Sequence, residues 1–264
     1  MRVDNLRKRV FEKAEKTFTL RNAGDYQIRF EFEIRKRSSQ KLFSITPETG
    51  ILDSEGEIQI TLAFDSEAEV NLKNNKDIRC SIFEPKTDEF YESFDLTTTV
   101  RSLFSSFRLQ PLRGVNFSAV KIGQTVTRMI ELRNDGEFDF VFRIVDVKAD
   151  DSRIAAENKD AQEKGDEAIA ELRSARESEQ KLWLSNLLNP DDVLNDDPLK
   201  TGPFTVEPAN GVVHPGSTAR ITLNFDAEGN QLYRTPLRFD ISGRAANNAA
   251  GRSFEVVGES CIGC

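Results

Sequence analysis

The sequence predicts an all-β protein made of two tandem immunoglobulin-like antiparallel sandwiches, the second of which carries a helical insertion. Three observations lead to this prediction: blocks of sequence recur in the same order, apolar residues alternate with polar ones inside the blocks, and turn-forming residues separate them. The 264 residues suffice for about two domains of ordinary size. We expect a first domain at residues 1–104 and a second at residues 105–264, with the boundary near residues 103–112, where Pro111 interrupts an apolar segment.

The internal repeat rests on three pairs of blocks. Residues 17–26 return as residues 129–138 with an offset of 112, whereas residues 43–51 and 60–65 return as 204–212 and 221–226 with an offset of 161. Because the offset rises from 112 to 161, the second copy contains 49 additional residues between its first and second blocks. The repeat therefore predicts two related modules with one large difference between them.

Apolar residues at every second position predict half-buried strands in both copies. The clearest runs are Ile28, Phe30, Phe32 and Ile34 in the first copy, and Phe138, Phe140, Phe142 and Ile144 in the second. Asn-x-Gly segments precede these runs, and Pro-x-x-Gly segments follow them, as expected of turns. A closing hairpin is predicted in each copy, at about residues 78–83 with 91–100 and at about residues 237–242 with 253–257.

Composition and charge exclude several classes of protein. The contents of 38% hydrophobic and 30% charged residues are typical of a soluble globular protein, and no apolar run approaches the roughly 18 residues of a membrane span. The net charge is −8, of which −6 lies in residues 148–203, so no affinity for nucleic acid is expected. Three scattered cysteines favour a reducing, cytosolic setting.

The additional residues, at about 148–203, predict an acidic helical insert. Residues 154–188 are rich in good helix formers, and Gly165 separates a short first helix from a longer one that starts at Glu167 with Asp166 as its N-cap. The apolar end of the second helix has two interpretations: it anchors the helix on the second domain, or it forms a docking face for a partner. The residues concerned are Trp183, Leu184, Leu187 and Leu188.

The sequence contains little that could support catalysis. The single histidine, His214, lies in a turn, and no nucleophile motif or phosphate-binding glycine loop accompanies it. Cys261 and Cys264 form a C-x-x-C segment after the last strand, but the four ligands that zinc prefers are not evident. We therefore expect no enzyme activity, no catalytic residue, no metal, no cofactor and no small-molecule ligand.

A basic cluster, Arg35-Lys36-Arg37, is the second candidate partner site. Such a cluster could attract an acidic partner, for example a tubulin tail or a phosphoinositide. The alternative is a solvated loop or a protected sheet edge, because the cluster is only three residues long and Glu31 and Glu33 are close by.

Taken together, the repeated blocks resemble a known class of sandwich. They are Leu-x-Asn-x-Gly at residues 20–24 and 132–136, the Phe-to-Gly turn at 43–51 and 204–212, Ile-x-Leu-x-Phe at 60–64 and 221–225, and Val-x-Gly at 256–258. This set resembles the ASH and major-sperm-protein class, whose tandem arrays are typical of the hydrocephalus-inducing (hydin) family of the ciliary central apparatus. The first copy departs from the pattern: its last strand lacks the glycine, and only residues 6–10 suggest a counterpart of the strand at 115–122.

The resemblance implies a non-catalytic scaffold or protein-interaction module of a cilium or flagellum axoneme, forming part of a longer array. Its implied partners are other proteins, axonemal or tubulin-associated, and its implied location is cytoplasmic and cytoskeletal. The alternative function is an adaptor of the major-sperm-protein type that binds a peptide or a membrane-associated partner. The basic strand motif with which the membrane-contact branch binds acidic FFAT peptides is not evident in this sequence.

Overall fold

The computed structural model describes residues 2–185, 194–195, 197–245 and 251–262, with side chains except at residues 2–6, 184 and 185. The chain divides into two units, Met1–Leu103 and Phe104–Cys264. Each unit contains two β-sheets, and two helices interrupt the strands of the second unit. The protein is thus all-β, with two tandem immunoglobulin-like sandwiches and a helical insertion in the second.

The first unit has a large sheet in the order β1-β8-β7-β3-β5 and a small sheet in the order β2-β6-β4. One short helix, α1 (Arg37–Gln40), connects β3 to β4. The strands are β1 (Arg2–Arg9), β2 (Ala14–Arg21), β3 (Ile28–Ile34), β4 (Phe43–Thr46), β5 (Thr49–Leu52), β6 (Glu57–Phe64), β7 (Val70–Phe83) and β8 (Phe90–Leu103).

The second unit repeats this arrangement with sheets in the orders β10-β18-β17-β12-β15 and β13-β14-β16-β11-β9. Its helices, α2 (Val147–Lys164) and α3 (Asp166–Ser185), follow β12. The strands are β9 (Phe107–Gln110), β10 (Gly114–Lys121), β11 (Thr125–Asn134), β12 (Phe140–Asp146), β13 (Leu199–Thr201), β14 (Phe204–Glu207), β15 (Asn210–Val213), β16 (Thr218–Asp226), β17 (Leu232–Ile241) and β18 (Arg252–Cys261).

The first strand of each unit runs parallel to the last. β1 pairs with β8, and β10 pairs with β18 in the equivalent register. The first copy therefore has a full counterpart of the strand at 115–122, starting several residues before the suggested residues 6–10. The closing hairpins are also longer than the alternation of apolar residues predicts, because β7 begins at Val70 and β8 extends to Leu103.

The Asn-x-Gly turn is held by a buried asparagine in both units. The Asn22 amide donates hydrogen bonds to the Tyr26 carbonyl at 2.7 Å and to the Asp53 carbonyl at 2.9 Å. The Asn134 amide does the same to the carbonyls of Phe138 and Val213, both at 2.8 Å. One amide group thus donates hydrogen bonds to backbone carbonyls of two loops at the end of the sandwich. This explains why an asparagine occupies this position in both copies.

The Pro-x-x-Gly turn has a steric reason for its glycine. A Cβ atom added to Gly50 would lie 2.7 Å from the ring of Phe30, and one added to Gly211 would lie 2.8 Å from the ring of Phe142. Both phenylalanines are fully buried central residues of their sandwiches. Because a large ring packs directly against the neighbouring strand, only glycine fits opposite it.

Both helices of the insert begin earlier in the chain than the sequence predicts. The first helix begins at Val147 rather than near Ile154, because the Asp146 carboxylate caps it by accepting from Lys148 N at 2.8 Å and Ala149 N at 3.3 Å. With 18 residues it is not short, and the second helix begins at Asp166 instead of Glu167. Among the described residues, no helix has the length and apolar character that crossing a membrane requires.

Candidate interaction surfaces

The basic cluster lies directly after β3, where the chain leaves the large sheet and enters α1. All three side chains are exposed, but two of them form ion pairs within the first unit. The Arg35 guanidinium lies 3.4 Å from the Asp95 carboxylate, and the Lys36 ammonium lies 2.9 Å from the Asp77 carboxylate. Arg37 is the first residue of α1. The positive charge of this surface is therefore partly balanced by its own carboxylates.

Asp77 is the buried member of this cluster. Its carboxylate accepts a hydrogen bond from the Ser39 hydroxyl at 2.6 Å and one from the Asn75 amide at 2.8 Å. Burial alone would raise the pKa of Asp77, but these hydrogen bonds and the Lys36 ammonium outweigh it and lower the pKa to about 2. The charged form of Asp77 therefore ties α1 to β7.

The depressed pKa of Asp77 predicts a specific dependence of stability on pH. A carboxyl group with a lowered pKa in the folded state stabilises the fold above its unfolded pKa, and this contribution is lost as pH falls through the folded value. We expect the stability difference between the native protein and Asp77→Asn to be constant above about pH 5 and to shrink between about pH 4 and pH 2. Urea midpoints from circular dichroism measure this difference.

Asp25→Asn is the matched control for that experiment, because Asp25 is an exposed aspartate of the same unit. Its stability difference from the native protein should stay small across the same range of pH. A difference for Asp77→Asn that is unchanged down to pH 2 would show that the carboxylate is not held in its charged form by the surrounding groups.

The helical insert packs on its own unit, where α2 contacts β12 and β17. Trp183 on α3 is only 4% exposed, its indole lies 4.8 Å from the Arg143 guanidinium, and its carbonyl accepts a hydrogen bond from Gly243 N at 2.7 Å. This burial favours the interpretation in which Trp183 anchors the helix on the second domain. The side chain of Leu184 is not described, and Leu187 and Leu188 lie outside the described residues.

A buried charge cluster lies between the insert and the sheet. Asp240 is 4% exposed, and three guanidiniums surround its carboxylate: that of Arg238 at 3.0 Å, that of Arg143 at 3.4 Å and that of Arg244 at 3.7 Å. Asp150 from α2 adds a second carboxylate, 2.9 Å from Arg238. A cavity of about 460 Å³ remains beside this cluster. The insert is therefore held by charges as well as by the indole.

An apolar groove opens in the first unit and was missed by the sequence reasoning. It has a volume of about 520 Å³ and lies between β2 and the large sheet. Its lining includes the apolar side chains of Leu20, Ile28 and Phe94, and two exposed tyrosines, Tyr26 at 84% and Tyr91 at 81% exposure. No single sequence motif marks this groove, because its walls come from four strands and the turn after β2.

The single histidine and two of the three cysteines lie in the described part of the chain. The His214 imidazole is exposed, and its Nδ1 atom lies 3.2 Å from the Asp139 carboxylate. Cys80 is buried in the first core, and burial raises its pKa to about 12. Cys261 ends β18, while Cys264 lies outside the described residues. Within the described part of the chain, no group of three His, Cys, Asp or Glu side chains is placed to hold a metal ion.

Comparison with known proteins gives a consistent set of similarities. The family model described as Cep192 domain 3 matches residues 2–90. The human hydrocephalus-inducing protein homolog is 26% identical over 273 residues, which cover 96% of this chain, and the mouse protein is 26% identical over 274 residues. The chain resembles the hydrocephalus-inducing proteins, with tandem ASH-like domains. It spans about 5% of the length of these two relatives.

Two solved structures have a low similarity to this chain. An ASH/PapD-like domain of human CEP192 is 10% identical, with a TM-score of 0.35, and the match covers 60% of this chain and 86% of that domain. A protein of unknown function from Porphyromonas gingivalis is 12% identical, with a TM-score of 0.33, and covers 94% of this chain and 91% of its own.

Proposed function

We propose that this chain is a non-catalytic scaffold and protein-interaction section of a cilium or flagellum axoneme, of the kind found in the central apparatus, and one part of a longer array of sandwiches. The observation that carries the proposal is the similarity to the hydrocephalus-inducing proteins over 96% of the chain, which includes both sandwiches and the insert. Because the similarity extends over nearly the whole chain and is not confined to one local motif, interactions of the whole section rather than a single catalytic group are the expected function.

Imaging in a ciliated cell tests this proposal. We expect the full-length protein carrying a fluorescent tag to lie along the axoneme, and to remain there after detergent has removed the ciliary membrane. The tag alone, expressed at the same level, serves as the control and should be lost on extraction. Diffuse cytoplasmic signal, or signal removed together with the membrane, would contradict an axonemal scaffold.

The alternative, an adaptor of the major-sperm-protein type, depends on the basic cluster Arg35-Lys36-Arg37. It predicts binding of an acidic peptide that is lost when all three residues are changed to Glu. A matched control changes three exposed lysines elsewhere in the first unit, Lys16, Lys73 and Lys86, to Glu. Equal loss in both variants would indicate only a general charge effect. The ion pairs of Arg35 and Lys36 argue for the scaffold, because they reduce the charge available to a peptide.

A further inference from the structure

The charge cluster beneath the helical insert lies on the outer face of the large sheet of the second unit. Phe142 and Phe239 belong to the core, so the residues that follow them on β12 and β17, Arg143 and Asp240, point outward. These two residues lie opposite one another in the strand pairing, and Arg238 shares their face two positions before Asp240. The insert covers this face, because α2 contacts β12 and β17.

The first unit has the equivalent strands but not the cluster. Glu31, 112 residues before Arg143, pairs with Ser81 as Arg143 pairs with Asp240. The sandwich therefore does not require these charges, which accompany the insert. Because a buried ion cluster gives little net stability compared with apolar residues of similar volume, we expect the cluster to serve a purpose beyond holding the sheet together.

Positive charge predominates in the cavity beside the cluster. The volume of this cavity is about 460 Å³, and its described lining includes five arginines and four carboxylates, an excess of one positive charge. They are Arg143, Arg153, Arg176, Arg238 and Arg244, with Asp150, Glu157, Glu179 and Asp240. The side chain of Glu179 is 53% exposed. When it turns towards solvent, the excess rises to two charges.

Arg143 has hydrogen-bonding capacity that its neighbours do not use. Its Nη2 atom lies 3.4 Å from the carboxylates of both Glu179 and Asp240, which is longer than a usual hydrogen bond. Its buried Nε atom has no hydrogen-bond partner among the described residues. The Trp183 indole lies 4.8 Å from the guanidinium and supports it on one side. An oxyanion that accepts from Arg143 would therefore be favourable.

Arg244 is the most deeply buried of the five arginines, at 5% exposure. Its guanidinium donates to the Ile241 carbonyl at 3.2 Å and lies 3.7 Å from the Asp240 carboxylate. Burial lowers the pKa of Arg244, and the charges of Arg238 and Arg143 add to this lowering, which Asp240 opposes. A further negative charge in the cavity would reduce the repulsion between these arginines.

We propose that this cavity binds a phosphate group on a side chain of a partner protein, with Arg143 and Arg244 as its principal donors. A phosphorylated side chain carries between about −1.5 and −2 charges at pH 7 and three strong acceptor oxygens, which suit the excess positive charge. Clusters of arginine are a common means of recognising such groups. Because Ile154 and Leu172 also line the cavity, a phosphorylated side chain fits it better than the free ion.

Calorimetric titration of the full chain with the peptide Ala-Ala-phosphoserine-Ala-Ala is the direct test. We expect saturable binding, accompanied by a change in the fluorescence of Trp183, the single tryptophan. The same peptide with serine or glutamate at its centre should bind at least about tenfold more weakly. Equal binding of the glutamate peptide, or no binding of the phosphopeptide at millimolar concentration, would overturn the proposal.

Inorganic phosphate, titrated at the same ionic strength, distinguishes the source of the phosphate group. Weaker binding than that of the phosphopeptide supports a phosphorylated partner, whereas equal or tighter binding overturns the partner in favour of the free ion. The inference rests on the proposed interaction role but not on the location in a cilium. Because the titrations use the purified chain, their failure would leave the outcome of the imaging experiment unaffected.

Arg143→Gln removes a donor from the cavity and should weaken binding of the phosphopeptide at least about tenfold. Its matched control is Arg234→Gln, because Arg234 lies on β17 outside the cavity and is 60% exposed. The control should bind as the native chain does. Urea unfolding shows whether both variants are folded.

Glu179→Gln gives a result that loss of folding cannot imitate. It removes a carboxylate that competes for Arg143, and binding of the phosphopeptide should become about threefold tighter. Glu177→Gln is the control, because Glu177 is an exposed residue of α3 outside the cavity lining. If neither Arg143→Gln nor Glu179→Gln changes the affinity, the phosphate binds elsewhere and the proposal is overturned.

Discussion

Replacing Asp240 by Asn is expected to destabilise the second unit by about 3–5 kcal/mol. The carboxylate is buried and lies within 3.7 Å of three guanidiniums. Asparagine keeps the shape of the side chain but removes its charge, which leaves the arginines to repel one another in a poorly solvated site. Urea unfolding followed by the fluorescence of Trp183, the single tryptophan of the chain, reports on this unit selectively.

Glu255→Gln is the matched control for that measurement. Glu255 lies 3.8 Å from Arg234 on β17, and both side chains are more than half exposed. An exposed pair of this kind contributes about 0–1 kcal/mol, so the control should hardly shift the urea midpoint. If Asp240→Asn costs no more than Glu255→Gln, the charge cluster does not hold the insert and sheet together.

The sandwich itself could be predicted from sequence because its determinants are local and repeated. The alternation from Ile28 to Ile34 and the paired asparagines at 22 and 134 report directly on a half-buried strand and its turn. The parallel strand β1 carries a weaker signal. It includes Arg7, Lys8 and Arg9, and an edge strand that pairs through its backbone needs no strict pattern of side chains.

The charge cluster and the groove could not be predicted for a different reason. The residues around Asp240 come from β12, α2, β17 and the turn that follows, so their spacing along the chain carries no pattern. The walls of the groove likewise come from four strands and one turn. Residues 107–110 resemble a linker beside Pro111, and only the structure shows them as a strand of the second unit.

Replacing Trp183 by Ala is expected to release the helical insert from the second unit while leaving the sandwich folded. Truncation of a buried tryptophan costs about 3–5 kcal/mol, which corresponds to a loss of protection between about 150-fold and about 4,000-fold. We expect hydrogen exchange of α2 and α3 amides to accelerate by such a factor and that of β16 and β17 to change much less. Leu182→Ala is the control, because the Leu182 side chain is next to Trp183 on α3 and is 42% exposed.

Deleting residues 150–200 and bridging the ends with a short Gly/Ser linker tests whether the second sandwich folds without the insert. The first unit connects the equivalent strands, β3 and β4, through residues 35–42 alone, so the architecture does not require two long helices. We expect two folded sandwiches, with the second unit unfolding at a lower urea concentration because Arg238 loses Asp150 and the sheet loses the indole. Circular dichroism follows both transitions. Complete unfolding of the second unit would show that the insert belongs to its core and is not a docked addition.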